Sequence, residues 1–129
     1  MKFIEGLSRI CFGCEPLGGT DWGDIDVKEI EKAIRLACEK GLNFFDTASV
    51  YGLGLSEERL ALVLGSMRHE MAIATKGGLI WNQVKSKRAV VTKDSSPKSL
   101  VKQVHSSLKR LKIDSIPIYY IHWPDPNIP

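Results

Sequence analysis

The chain has 129 residues, of which 43% are hydrophobic and 26% charged, and its net charge is +3. This size and composition predict one globular domain, residues 1–129, with a core of its own. The weak positive charge argues against nucleic acid as a partner, and no apolar run approaches the ~20 residues of a membrane span. Three cysteines and an N-terminus without a long apolar core predict a cytoplasmic protein.

The first predicted element is a short strand at Ser8–Cys14. Cys11 and Cys14 have a C-x-x-C spacing, but residues three apart on a strand point to opposite faces, so the two thiols should diverge. No second cysteine pair or histidine pair completes a zinc site. We therefore expect buried, unpaired thiols and no metal, with redox or metal use as the less favoured alternative.

Three amphipathic helices are predicted to alternate with the strands. Asp26 should cap the first, in a capping-box relation to Glu29, and Gly41 should end it. Ser56 should cap the second, over about Glu57–Leu64, and the third should begin at Ser96 and Pro97. Their apolar stripes are Ile30, Ala33, Ile34, Ala37 and Cys38, then Leu60, Ala61 and Leu64, then Val101, Val104, Leu108 and Leu111.

The remaining strands are predicted in "LNFFD", "MAIATK" and "IPIYYIH". This order, β-α-β-α-β-α-β, is typical of a parallel sheet with helical crossovers. The segment that follows the third strand, up to about Ser96, is predicted to be a long loop. Its basic residues are interpreted as a solvated flap, although they could bind a phosphate or an acidic substrate; they are Lys85, Lys87, Arg88 and Lys93.

Polar, chemically capable residues stand at three predicted strand ends: Asp46, Lys76 and His122, with Tyr51 in the loop after Asp46. The carboxyl ends of parallel strands meet on one side, so these side chains should converge. An ammonium beside a phenol favours phenolate and makes the phenol a usable proton donor. A carboxylate would hold the ammonium, and an imidazole would orient a substrate oxygen. The set suits protonation of a carbonyl oxygen while hydride reaches the carbon.

Each of these four residues alone has an ordinary structural interpretation. Asp46 could be a cap, Tyr51 a packed aromatic residue, Lys76 a solvated charge and His122 a satisfied core histidine. Their joint occurrence in this order favours the functional interpretation. Tyr119 and Tyr120 are interpreted as strand packing, because they alternate faces before the histidine.

The segments "FGCEPLGGTDWG", "GLNFFDTASVYGLGLSEERL", "IATKGG" and "IYYIHWPD" resemble the N-terminal half of an aldo-keto reductase. That family forms a (β/α)8 TIM barrel and uses NADPH or, less often, NADH. The resemblance implies that Tyr51 is the general acid and that Lys76 makes it a better proton donor. It implies that Asp46 holds the lysine and reaches the nicotinamide ribose, and that His122 orients the carbonyl of an aldehyde or ketone substrate.

The resemblance also assigns residues outside this group. Gly19 and Thr20 match a loop that passes near the cofactor. Trp22 and Trp81 fall where the family lines its substrate pocket, although packing roles are an equal alternative, and Trp123 follows the histidine.

The chain departs from the family in length, because a (β/α)8 barrel takes about 250 residues. Most residues that bind the cofactor would lie beyond Pro129. We expect the 129 residues to be incomplete and inactive alone. The chain is most simply a fragment; the alternatives are a half-barrel whose edges self-associate and the product of a decayed gene. A non-catalytic regulatory protein, like the potassium-channel β subunits of this family, is the main alternative. A TIM-barrel enzyme that uses Lys76 as a Schiff base, or His122 and Asp46 as metal ligands, is less favoured.

Overall fold

A computed structural model describes residues 6–20, 22–85 and 88–128, with side chains except at 82–85 and 88. The strands are β1 (Phe12–Gly13), β2 (Phe44–Asp46), β3 (Ala72–Gly77), β4 (Leu79–Lys85), β5 (Arg88–Lys93) and β6 (Ile118–Ile121). The helices are α1 (Val27–Glu39), α2 (Leu55–Leu64) and α3 (Pro97–Leu111). Within these ranges, no helix is long and apolar enough to cross a membrane.

Strands β1, β2, β3 and β6 form one sheet in that order, and every neighbouring pair is parallel. The predicted parallel sheet with helical crossovers is therefore confirmed. Asp46 lies opposite Gly13 on β1 and Ala74 on β3, and Lys76 lies opposite Tyr120 on β6. Because side chains alternate along a strand, Asp46 and Lys76 share the sheet face that is turned away from the helices.

Strand β1 is much shorter than the predicted Ser8–Cys14. Its pairing with β2 covers only two residues, and Cys14 N–H adds one further bond to the Asp46 carbonyl at 2.8 Å. Ser8 bonds instead to the Asn43 side chain, with 2.8 Å between its N and Oδ1. The polar side chain of Asn43 thus replaces ladder pairing at the start of the segment.

The ends of α1 and α3 lie close to their predicted positions. The Asp26 carboxylate accepts hydrogen bonds from the N–H groups of Lys28 and Glu29, although the Glu29 side chain pairs with Lys32 instead of completing a capping box. Ser96 Oγ accepts from the Ser99 N–H at the start of α3. These caps satisfy N–H groups that have no partner within a helix.

The predicted cap of α2 was wrong. This helix begins at Leu55 and its N-cap is Gly54, whereas Ser56 is fully buried inside the first turn. The chain enters α2 through Gly52, Leu53 and Gly54, whose φ angles of 58°, 55° and 100° are all left-handed. This turn starts the helix earlier and points the serine towards the sheet.

The predicted long loop after β3 was also wrong, because β4 and β5 form an antiparallel hairpin. Leu79 lies opposite Lys93 and Trp81 opposite Val91, with an irregularity between Asn82 and Val84. The β-branched residues of "RAVVTK" favour a strand even where Val90 and Val91 are exposed. The polar character of the segment therefore marked a solvated hairpin and not a loop.

One member of the basic cluster has a described side chain. Lys93 donates from Nζ to the Pro124 carbonyl at 3.0 Å and lies 6.0 Å from the centre of the Trp123 ring. Lys93 thus fastens the base of the hairpin to the segment after β6. The side chains of Lys85, Lys87 and Arg88 lie outside the described part of the chain.

The core lies between the sheet and the helices. Phe45 and Ile73 from the strands meet Ile34, Leu60 and Leu111 from the helices, and all five have no exposed surface. Burying each such side chain contributes about 1.5–3 kcal/mol. This packing fixes the three helices against the sheet and so fixes the strand ends.

The three cysteines are unpaired, as expected for Cys11, Cys14 and Cys38. Cys14 is fully buried, and burial raises the pKa of the half-buried Cys11 thiol to about 11. Both sulfurs lie near the Phe12 carbonyl oxygen, at 3.9 Å for Cys11 and 3.6 Å for Cys14. Only Cys14 belongs to the buried core, whereas Cys11 and Cys38 are partly exposed.

Candidate active site

A half-buried ion pair joins the ends of β2 and β3. Lys76 Nζ lies 2.7 Å from Asp46 Oδ2 and donates a second bond to the Thr47 carbonyl at 2.9 Å. Burial alone would lower the pKa of Lys76, but its hydrogen bonds to Asp46 and Tyr51 outweigh this and raise it. Lys76 is therefore a fixed, protonated ammonium near neutral pH.

The phenol of Tyr51 completes this arrangement. Its oxygen lies 3.3 Å from Lys76 Nζ, and the ammonium is 4.9 Å from the centre of the tyrosine ring. Tyr51 begins the turn that leads into α2. The lysine thus contacts a carboxylate on one side and a phenol on the other.

Two glycines allow the Tyr51 turn to approach the loop after β1. A Cβ on Gly18 would lie 2.6 Å from the backbone nitrogen of Gly52, a distance that real contacts do not allow. A Cβ on Gly52 would strike the Gly18 backbone, and Gly52 has a left-handed φ of 58°. Glycine is the residue that tolerates both the conformation and the close approach.

His122 follows β6 and faces the tyrosine edge-on, with ring centroids 5.6 Å apart and planes at 87°. Its backbone N–H extends the sheet by bonding to the Gly77 carbonyl at 2.8 Å. Burial and the nearby Lys76 charge lower the pKa of the imidazole, with Asp46 opposing them. The ring is therefore neutral at pH 7.

The protonated nitrogen of His122 can be assigned from its surroundings. Nδ1 is buried and has no hydrogen-bond partner among the described residues. A buried N–H without an acceptor is costly, so the single proton of the neutral ring belongs on Nε2. Nε2–H is then available as a donor.

The other residues singled out from the sequence lie in different places around this group. Gly19 sits beside Arg59, whose Nη1 donates to the Leu17 carbonyl at 2.7 Å, and Thr20 is exposed. Trp22 is exposed and Trp123 packs its edge 5.8 Å from His122. Trp81 lines a groove of about 430 Å³ between β4 and α3; its walls include Ser49 but none of the four reactive residues.

Sequence reasoning missed the residues that hold these strand ends in place from the helix side of the sheet. Glu57 has no exposed surface, yet it stands on the apolar stripe of α2 with Leu60, Ala61 and Leu64. An acid at i, with apolar residues at i+3, i+4 and i+7, is a signal that could have identified it.

The family model described as the Aldo/keto reductase family matches residues 9–129, and the chain belongs to that family. It is 38% identical over 124 residues to the Aldo-keto reductase YhdN of Bacillus subtilis, covering 95% of this chain and 36% of that protein. It is 35% identical over 127 residues to the NADH-specific methylglyoxal reductase of Escherichia coli, covering 91% of this chain and 38% of that one.

Among solved structures, the glycerol dehydrogenase of Gluconobacter oxydans superposes with a TM-score of 0.84 at 39% identity, over 95% of this chain and 38% of that one. The fold is that of the (β/α)8 barrels of this family, and the four parallel strands form its first half, as predicted. The chain spans 36–38% of the length of these three relatives.

Proposed function

We propose that this chain supplies the proton-donating half of an NAD(P)H-dependent aldo-keto reductase that converts an aldehyde or ketone to an alcohol. The observation that carries the proposal is the contact of one ammonium, Lys76, with both the Asp46 carboxylate and the Tyr51 phenol. Family membership supports the reaction class.

The proposed chemistry assigns one task to each side chain. Tyr51 donates its proton to the carbonyl oxygen, and Lys76 stabilises the phenolate that remains. Asp46 keeps the ammonium in place and protonated. His122 donates from Nε2 to the same carbonyl oxygen, which orients the substrate and holds its developing charge.

A nicotinamide cofactor would supply the hydride in this reaction. The residues present fit such a group at one point: Lys76 bonds to Oδ2 of Asp46, which leaves Oδ1 to accept from a ribose hydroxyl. The carboxylate side chain is 33% exposed, so a ligand can reach it. Gly19 and Thr20 are proposed to lie along the cofactor, and Trp22, Trp81 and Trp123 beside the substrate.

The proposal leaves the choice between NADPH and NADH to experiment, because a relative named as NADH-specific is 35% identical to this chain. Within the described residues, β1 and β6 are each paired on one side only. We therefore expect turnover to need further strands at these edges, whether from the same polypeptide or from a second copy. A cytoplasmic location also remains a prediction.

A chimera tests the function directly. Residues 9–129 would replace the matching segment of the B. subtilis Aldo-keto reductase YhdN, which closes the sheet with a relative's own strands. The chimera should oxidise NADPH or NADH in the presence of nitrobenzaldehyde or methylglyoxal. Tyr51→Phe should lower kcat about 10²- to 10⁴-fold, the usual contribution of a positioned proton donor.

Tyr120→Phe is the matched control, because Tyr120 lies opposite Lys76 but is not the predicted acid. Its turnover should stay near that of the parent chimera. A folded chimera in which Tyr51→Phe turns over as fast as the parent would contradict the proposal. Cofactor binding without turnover would instead favour the regulatory alternative.

A further inference from the structure

The first turn of α2 is tied to β3 through a buried carboxylate. Glu57 accepts two hydrogen bonds of 2.6 Å, one at Oε1 from the Thr75 hydroxyl and one at Oε2 from Nε of Arg110. Thr75 is the residue directly before Lys76 on β3. Glu57 therefore anchors the strand at the position next to the ammonium.

The same turn is tied to β1 and β2 through Ser56. Its hydroxyl donates to the Cys14 carbonyl at 2.7 Å and lies 2.9 Å from Oγ1 of Thr47. Thr47 follows Asp46, and its carbonyl also accepts from Lys76. The chain from Thr47 to Ser56, which carries Tyr51, is thus held at both of its ends.

A purely structural helix would not need this chemistry. A buried ion pair is often replaced by apolar residues at no cost in stability, and an apolar residue at position 57 would complete the stripe of Leu60 and Leu64. An apolar residue at this position cannot fix the relative orientation of the groups that it contacts, because dispersion contacts are not directional, whereas hydrogen bonds are.

We infer that Ser56, Glu57 and Thr75, the α2 anchor, are positioning residues that set the separation between the Tyr51 phenol and the Lys76 ammonium. This inference rests on the proposed function. The anchor acts on the three strand ends from the helix side and touches neither the substrate nor the cofactor. A misplacement of about 1 Å between reacting groups can lower turnover about 10²-fold, so a small change in this separation matters.

The test is to measure the distance from Oη of Tyr51 to Nζ of Lys76 in crystal structures of the 129-residue chain and its variants; this distance is 3.3 Å in the parent. Thr75→Val keeps the shape of the side chain and removes the hydroxyl, whereas Thr75→Ser keeps the hydroxyl. Ile34→Val, on the buried face of α1, removes one methylene without touching the anchor. A urea titration of each variant measures its stability.

The inference predicts that the distance from Tyr51 Oη to Lys76 Nζ lengthens by about 1 Å in Thr75→Val, a misplacement large enough to impair catalysis. Thr75→Ser and Ile34→Val should keep the parent distance. If Thr75→Val loses stability but keeps the parent distance, the anchor is only structural and the inference is overturned. If Thr75→Val does not fold, Ser56→Ala is judged by the same criterion.

This measurement needs no cofactor and no turnover. Failure of the proposed function appears as a silent chimera in the reductase assay, whereas failure of the anchor appears as an unchanged distance between the phenol and the ammonium. The two results are therefore distinguishable.

Discussion

Two ion pairs of the same length lie in different regions of this molecule. Arg110 and Glu57 join α3 to the first turn of α2, and Lys32 and Glu29 lie on the surface of α1; each pair has 2.6 Å between nitrogen and oxygen. The exposed fractions are 18% and 0% in the first pair and 71% and 63% in the second. Burial, and not distance, decides how much each pair contributes to the free energy of unfolding, because water screens the exposed charges.

The largest expected effect comes from breaking the buried pair. Arg110→Met leaves the Glu57 carboxylate buried without its cation, and we expect a loss of about 3–5 kcal/mol in the free energy of unfolding. Urea denaturation measures this loss. The double variant Glu57→Gln, Arg110→Met removes both charges and should recover most of the stability; an equal loss in both variants would show that packing, not charge, is responsible.

The backbone beside Tyr51 is expected to be the next most sensitive feature. Gly52→Ala places a Cβ against the Gly18 backbone at a left-handed φ, so it should cost about 2 kcal/mol or more. Gly13→Ala is the control, since nothing lies within 4 Å of its Cβ position and its φ is ordinary. Equal stabilities of the two variants in urea would contradict the close approach of the two loops.

These two features also show how much of the structure could be predicted from the sequence. The parallel order of β2, β3 and β6 follows from short apolar runs that alternate with helical stripes, and the convergence of Asp46, Lys76 and His122 follows from that order. Such periodicity is local, so it can be predicted. The partners of Glu57 are 18 and 53 residues away, and no local pattern specifies such contacts.

The misassigned elements have the same cause. Ser56 has the residue type and position of a helix cap, but the left-handed turn at Gly52–Gly54 moves the start of α2 ahead of it. The hairpin of β4 and β5 presents charged and exposed apolar residues, so its period-2 pattern was weak. Tertiary packing, and not local propensity, determined both the start of α2 and the formation of the β4–β5 hairpin.

A smaller effect is expected from the pH dependence that His122 contributes. Its folded-state pKa is lowered, so the unfolded chain takes up a proton near the ordinary value of about 6.5 while the folded ring stays neutral. His122 should therefore make its full contribution to the free energy of unfolding above about pH 6.5. This contribution should fall as the pH drops towards the folded-state pKa. His122→Asn should flatten this dependence below about pH 6.5 in urea titrations.

His105→Gln is the control for that experiment, because His105 is an exposed residue of α3. It should leave the slope of stability against pH as in the parent. A steep slope that survives in His122→Asn would place the titrating group elsewhere.

The smallest expected effect comes from the exposed pair. Lys32→Met should change the free energy of unfolding by no more than about 0.5 kcal/mol, and added salt should abolish the difference. A loss comparable to that of Arg110→Met would mean that burial does not separate the two regions as we describe.

The central claim is that the Lys76 ammonium and the Tyr51 phenol act as one unit at the open end of the sheet. The most direct measurement is kcat of the chimera that carries Lys76→Met, compared with the parent chimera. Removing the ammonium that would stabilise the phenolate should lower kcat about 10²- to 10⁴-fold. An unchanged kcat in a folded Lys76→Met chimera would contradict the account.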